Sequence, residues 1–155
     1  MNKVYLGKYV NTHGIKGEIR IKSNFPYKDK VFKIDNEIII NDVFYTINSY
    51  RVHKGYDMVT LKGILSINDI PFPKNTSVFV DRDKYLLKNE YLDSDLIGFI
   101  VYNSKLEREV TGIFYINDKK KIIETREGYI PFELVKDIDL ENKRILVEEV
   151  DGLWK

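Results

Sequence analysis

Imidazole is the side chain whose charge changes closest to neutral pH, and it is the commonest metal ligand. This 155-residue chain has two, His13 and His53. They stand 40 positions apart and neither sits in a His-x-x-x-His or carboxylate cluster of metal-ligand spacing, so no metal site is expected. His13 precedes Gly14, where it fits a turn residue bracing a loop or an RNA-contacting group; His53 fits the surface end of a strand. Gly7-Lys8 and Gly14-Ile15-Lys16-Gly17 have the residue types of a phosphate loop, without the Gly-x-x-x-x-Gly-Lys-Ser/Thr spacing or a strand-to-helix setting. There is no Gly-x-Ser-x-Gly elbow and no cysteine nucleophile. Asp93 with Asp95, and Asp137 with Asp139, supply carboxylates for acid–base work but no companion motif, and read as turn and strand-face residues. Neither a catalytic residue nor a cofactor is expected.

Lys16, Arg20 and Lys22 offer a different chemistry. Charged and apolar residues alternate through Glu18-Ile19-Arg20-Ile21-Lys22, which puts Glu18, Arg20 and Lys22 on one side of a strand. The cations can meet phosphates. Alternatively, Glu18 can pair with them in an ordinary surface salt bridge. The residues alone leave both readings open.

The elements that must position these groups are strands. The chain has no Ala and no Gln, two good helix formers, while Ile, Val, Tyr, Phe and Thr recur in short runs. Strands are expected at Val4–Val10, Glu18–Lys22, Ile38–Ile40, Val43–Val52, Met58–Lys62 and Val78–Val80, as an antiparallel meander closed into a barrel by the last. Ser66-Ile67-Asn68-Asp69 has capping-box spacing, with Pro71 and Pro73 ending the helical turn early. A second set is expected at Leu96–Val101, Val110–Ile116, Lys121–Thr125, Gly128–Phe132 and Arg144–Val147, with Leu134–Leu140 either a strand or a helical turn. The fold class is all-β, with two small β-barrel domains at 1–84 and 91–155 and a charged linker at 85–90.

Residues 1–84 carry 14 Lys and Arg against 9 Asp and Glu, and residues 85–155 carry 11 against 15. A basic half suits a phosphate backbone and an acidic half suits a basic protein surface. No apolar stretch approaches the ~20 residues of a membrane span, and Met1 to Lys8 lacks a signal-peptide core. A cytoplasmic protein without membrane contact, monomeric when free, is expected.

Four clusters in order along nearly the whole chain carry a family resemblance. They are Leu6-Gly7-Lys8 with Thr12 through Ile21; Tyr56 through Ile64 with Asn68-Asp69; Tyr91 with Asp95 through Phe99 and Val101; and Ile130-Pro131-Phe132 with Asp139-Leu140 and Gly152-Leu153. Together they resemble the RimM family of ribosome maturation factors, or 16S rRNA processing proteins. The resemblance implies a translation-factor-like N-terminal barrel and a PRC-barrel-like C-terminal domain. It further implies an assembly chaperone that binds the immature small (30S) subunit near its head, recognises ribosomal protein nineteen of that subunit, and promotes 16S rRNA maturation without cleaving it.

By that resemblance His13, Lys16, Arg20 and Lys22 are the candidate RNA or ribosome surface of the N-domain. Tyr91, Pro131 and Phe132 are the candidate ribosomal-protein surface of the C-domain. The family often carries two adjacent aromatics before its Asp-Leu-Ile/Met-Gly segment, whereas this chain has Tyr91-Leu92. Asp95 is expected to cap a turn, Leu96 and Ile97 to enter the core, and Gly98 to allow a tight approach. Trp154 reads as a packing plug or an exposed anchor. Two other functions remain conceivable from the strands alone: a flavin-binding split-barrel enzyme, or a generic single-stranded RNA-binding barrel stacking bases on Tyr5, Tyr9 or Phe25.

Overall fold

The structure, a computed structural model, describes residues 1–150. Gly152, Leu153 and Trp154 therefore lie outside the described residues. The chain divides into two all-β units, Met1–Leu87 and Lys88–Lys155, and the division falls within the segment expected as the linker. Tyr85, at the head of that segment, packs into the first unit: it is buried, and its hydroxyl donates to the Glu37 carbonyl at 3.1 Å. Among the described residues no helix is long and apolar enough to cross a membrane.

The first unit runs β1 (Lys3–His13), β2 (Glu18–Lys22), α1 (Lys28–Val31), β3 (Glu37–Ile40), β4 (Val43–His53), β5 (Tyr56–Leu61), β6 (Ser77–Asp81) and α2 (Arg82–Tyr85). Its strands form a closed barrel in the order β1-β2-β5-β4-β3-β6. The expected meander holds only for β3 to β5, because β2 pairs with β5 instead of β3. The two longest strands, β1 and β4, each meet different neighbours along successive parts of their length. β1 pairs with β6 through Lys3–Lys8 and with β2 through Lys8–His13, and its register shifts between Tyr5 and Gly7 and again between Tyr9 and Asn11. Such irregularities bend a strand and increase its twist, which a small barrel requires.

Gly7 sits within this bend, where a Cβ would lie 2.4 Å from the Lys22 carbonyl oxygen. The hairpin turns Asn41-Asp42 (φ 54° and 64°) and Lys54-Gly55 (φ 51° and 80°) have the left-handed pair that matches strand twist. Leu6, Ile19, Ile21, Ile38, Ile40, Ile47, Val59, Val78 and Val80 fill the interior. Ser66 departs from its expected role. Its side chain caps no backbone amide of the Ile67–Asp69 3-10 turn, and its hydroxyl instead donates to Asp69 Oδ2 at 3.4 Å.

In the second unit a 3-10 turn at Asp93–Leu96 precedes β7 (Ile100–Tyr102), β8 (Glu107–Glu109), β9 (Gly112–Tyr115), β10 (Lys121–Thr125) and β11 (Gly128–Pro131). A second 3-10 turn at Phe132–Leu134 leads into β12 (Val135–Asp139) and β13 (Arg144–Val147), so the undecided 134–140 segment contains the end of a turn and a strand. The strands make a three-stranded sheet, β11-β10-β9, and a four-stranded sheet, β12-β13-β7-β8, with β13 parallel to β7. Leu96, Phe99, Val101, Val110, Ile123, Ile130, Ile145 and Val147 form its core.

Leu96 enters that core as expected, but Ile97 is 53% exposed. Gly98 is needed for its φ of +91° and not for a close approach, since nothing lies within 4 Å of a Cβ built there.

Candidate functional site

β2 alternates as its sequence requires, with Ile19 and Ile21 buried and Glu18, Arg20 and Lys22 on the outer side. Glu18 does not pair with its neighbours on β2. Both its oxygens accept from Arg51 of β4, at 2.7 and 2.9 Å, across the intervening β5. Those two bonds, ahead of a smaller opposing effect of burial, hold the Glu18 carboxyl below its usual range. Arg20 is thereby left without a carboxylate, and donates to Asn11 Oδ1 at 3.3 Å and to His13 Nδ1 at 2.7 Å. Lys22 stands opposite Lys8 of β1, both exposed. Like charges directly opposed across a ladder are destabilising. Among the described residues no carboxylate pairs with Lys8, Lys22 or Lys16, which lies in the exposed turn between Gly14 and Gly17.

The two histidines meet on this face, with ring centroids 5.4 Å apart at a tilt of 54°. Strand twist turns a sheet into a saddle, and the corners carrying His13 and His53 fold toward one another above β2 and β5. Met58 records the same folding. It is the ladder partner of both Arg20 and Arg51 on the outer side, yet it is fully buried. Tyr56, the ladder partner of His53, lies under the Arg20 guanidinium at 6.0 Å. Because a guanidinium can only donate, His13 Nδ1 is the acceptor and the neutral ring carries its proton on Nε2.

Inside the same barrel, Asp57 accepts from the Tyr50 hydroxyl at 2.7 Å and lies 2.8 Å from Lys28 Nζ. Burial, then the bond to Asp57, pushes the Tyr50 hydroxyl well above its ordinary pKa. Phe32 stacks on Tyr50 at 5.2 Å and 12°; Asp57 and Phe32 are buried, whereas Tyr50 and Lys28 are half-buried.

The second unit offers a surface of another kind. Tyr91 and Phe132 are half-buried against its core. Pro131 ends the edge strand β11 and opens the 3-10 turn that carries Phe132. The Lys121 ammonium sits 4.0 Å above the Phe132 ring and is neutralised by Asp93 at 3.0 Å.

Residues 4–85 match the RimM N-terminal domain. The ribosome maturation factor RimM of Staphylococcus aureus (strain MRSA252) is 39% identical over 165 aligned residues, covering 97% of this chain and 98% of that protein. The RimM of strain bovine RF122 / ET3-1 matches to the same extent. The chain belongs to the RimM family of ribosome maturation factors. A crystal structure of a RimM 16S ribosomal RNA processing protein from Pseudomonas aeruginosa covers 96% of this chain and 98% of that one, at 17% identity and a TM-score of 0.48.

Membership gives the Tyr91-Leu92 departure from the usual RimM aromatic pair a structural meaning. Leu92 is buried, and its backbone N–H donates to Asp95 Oδ2 at 2.7 Å, so the capping role expected of Asp95 is seen. Position 92 faces inward here and only Tyr91 is partly open. Sequence reasoning put His53 at the surface end of a strand but did not join it, Lys8, Arg51 or Tyr56 to this barrel face, and it missed the exposed Phe114–Tyr129 pair on the β11-β10-β9 sheet, with centroids 6.0 Å apart. Of the three stacking platforms of the generic RNA-binding alternative, Tyr9 and Phe25 are buried and only Tyr5 is exposed.

Proposed function

We propose that this RimM-family protein acts as a non-catalytic assembly chaperone in the cytoplasm, monomeric when free, that binds the immature small (30S) subunit near its head. The barrel face of His13, Lys16, Arg20 and Lys22, extended by Lys8 and His53, meets 16S rRNA. The Tyr91, Pro131 and Phe132 surface meets ribosomal protein nineteen of the small subunit. The observation that carries the RNA assignment is the opposed pair Lys8 and Lys22, exposed and without carboxylates. Charge left uncompensated on a stable barrel wall suits a phosphate backbone. The protein assignment rests on half-buried aromatics held in fixed positions, which bring contact area at little entropic cost. Two modest contacts on one chain reinforce each other through effective concentration.

Affinity capture of the tagged protein from cells, followed by RNA and protein analysis, is the test. Enrichment of small-subunit precursors containing unprocessed 16S rRNA is expected. Capture of unrelated RNAs in equal measure would instead favour a generic RNA-binding barrel.

A further inference from the structure

We propose that His13, Arg20, His53 and Lys54 form a phosphodiester-binding site on the barrel face, and that filling it is coupled to uptake of one proton by His53. This rests on the RNA-binding reading of that face and names the groups and protonation state it uses.

His53 is faced from β1 by His13, from β2 by Glu18 and Arg20, from its own strand by Arg51, from the adjoining turn by Lys54 and from β5 by its ladder partner Tyr56. Glu18 is the one carboxylate in this set, and both its oxygens are committed to Arg51. His13 is engaged through Nδ1 by Arg20. The site therefore holds donors and positive charge with nothing to balance them. Partial desolvation, followed by the fields of Arg51, Lys54 and Arg20, holds His53 below the ordinary histidine pKa, so its free ring is neutral at neutral pH.

An anion among these groups reverses the field. A phosphodiester keeps one negative charge at all physiological pH values and only accepts hydrogen bonds. It suits the unused N–H groups of Arg20, the Nε2–H of His13, the Lys54 ammonium and a His53 imidazolium. The exposed lysines at 8, 16 and 22 extend the same face, which favours a polyanion over an isolated carboxylate.

The sign follows from linkage. His53 has a low pKa in the free protein and a raised one in the complex, so affinity rises as pH falls between those two values. One proton taken up gives at most about a tenfold gain per pH unit. The chain has only two histidines, so the assignment is clean.

The test is binding of the full-length protein to a 16S rRNA transcript at constant ionic strength, from about pH 8 down to about pH 5.5. Wild type should tighten severalfold per pH unit. His53→Phe should bind more weakly and lose most of that slope, whereas His53→Lys should bind tightly at the upper end with a flat profile. The two imidazole NMR signals report which ring takes the proton and whether each variant remains folded. A wild-type slope retained in both His53 variants, or no wild-type slope while Arg20→Ala still weakens binding, overturns the proton coupling and leaves the RNA face standing. Absence of wild-type binding overturns both.

Discussion

The two candidate surfaces solve opposite problems. On the barrel, the one nearby carboxylate is committed to Arg51, and Lys8, Lys16, Arg20 and Lys22 are left unneutralised. In the second unit the cation nearest the aromatic surface, Lys121, is neutralised by Asp93 and laid over Phe132. The first arrangement acts at a distance and is screened by salt. The second acts only on contact, through shape and buried area. Net charges of +5 and −4 for residues 1–84 and 85–155 are therefore a coarse sign of a finer difference: where each unit spends its carboxylates.

The sharpest way to break this comparison is salt. If Lys8, Lys16, Arg20 and Lys22 each meet a phosphate, raising salt from about 50 to 200 mM should weaken binding to 16S rRNA by roughly 50- to 150-fold. The Arg20→Ala variant should lose roughly tenfold in affinity and show a shallower salt slope. Binding to isolated ribosomal protein nineteen should change far less over the same range, and equal salt losses for both ligands would remove the distinction.

Phe132→Ala attacks the other side. The ring is half-buried against the core and holds Lys121 at 4.0 Å. Its loss should cost about 1–3 kcal/mol of stability, less than a fully buried phenylalanine, in urea melts. It should also weaken binding to the ribosomal protein while leaving 16S rRNA affinity intact. Leu92→Tyr, which restores the usual RimM aromatic pair, should lower stability by about 1–2 kcal/mol instead of improving binding, because position 92 is buried. A tighter complex at unchanged stability would show that this position faces the partner.

How far these surfaces were legible follows from which contacts are local. Period-2 alternation placed Arg20 and Lys22 outward, and the gaps left between the expected strands at Asn41-Asp42 and around Gly55 are real hairpin turns. β8 escaped because Glu107-Arg108-Glu109 has no apolar residue to show a period. The Ser66 cap failed: its hydroxyl donates to Asp69 Oδ2 and accepts from no amide of the turn. Above all, the meeting of His13 with His53, and of Glu18 with Arg51, depends on β2 pairing with β5 and on the saddle this creates. Neither the strand order nor the curl is written in any window of adjacent residues.

That non-local pair gives the smallest effect and the finest test. Arg51 is about half-exposed while Glu18 keeps only 15% of its side chain open, so their bond contributes modestly to stability. Arg51→Ala should shift the urea midpoint less than Phe132→Ala does, and its pH dependence is the informative part. Glu18 has a carboxyl pKa depressed in the folded state, with the Arg51 hydrogen bonds as first cause. The stability this confers is fully present above the unfolded carboxyl value, about 4.3, and is lost as pH falls through the lower folded value. Wild type should therefore exceed Arg51→Ala by a constant margin from about pH 8 to 5, with the two curves converging below about pH 4. The same variant frees Glu18 beside Arg20 and His13, so it should weaken 16S rRNA binding beyond the loss of one cation. If it weakens binding no more than a single lysine substitution at 8 or 22, Glu18 is not being kept from the phosphate site by Arg51.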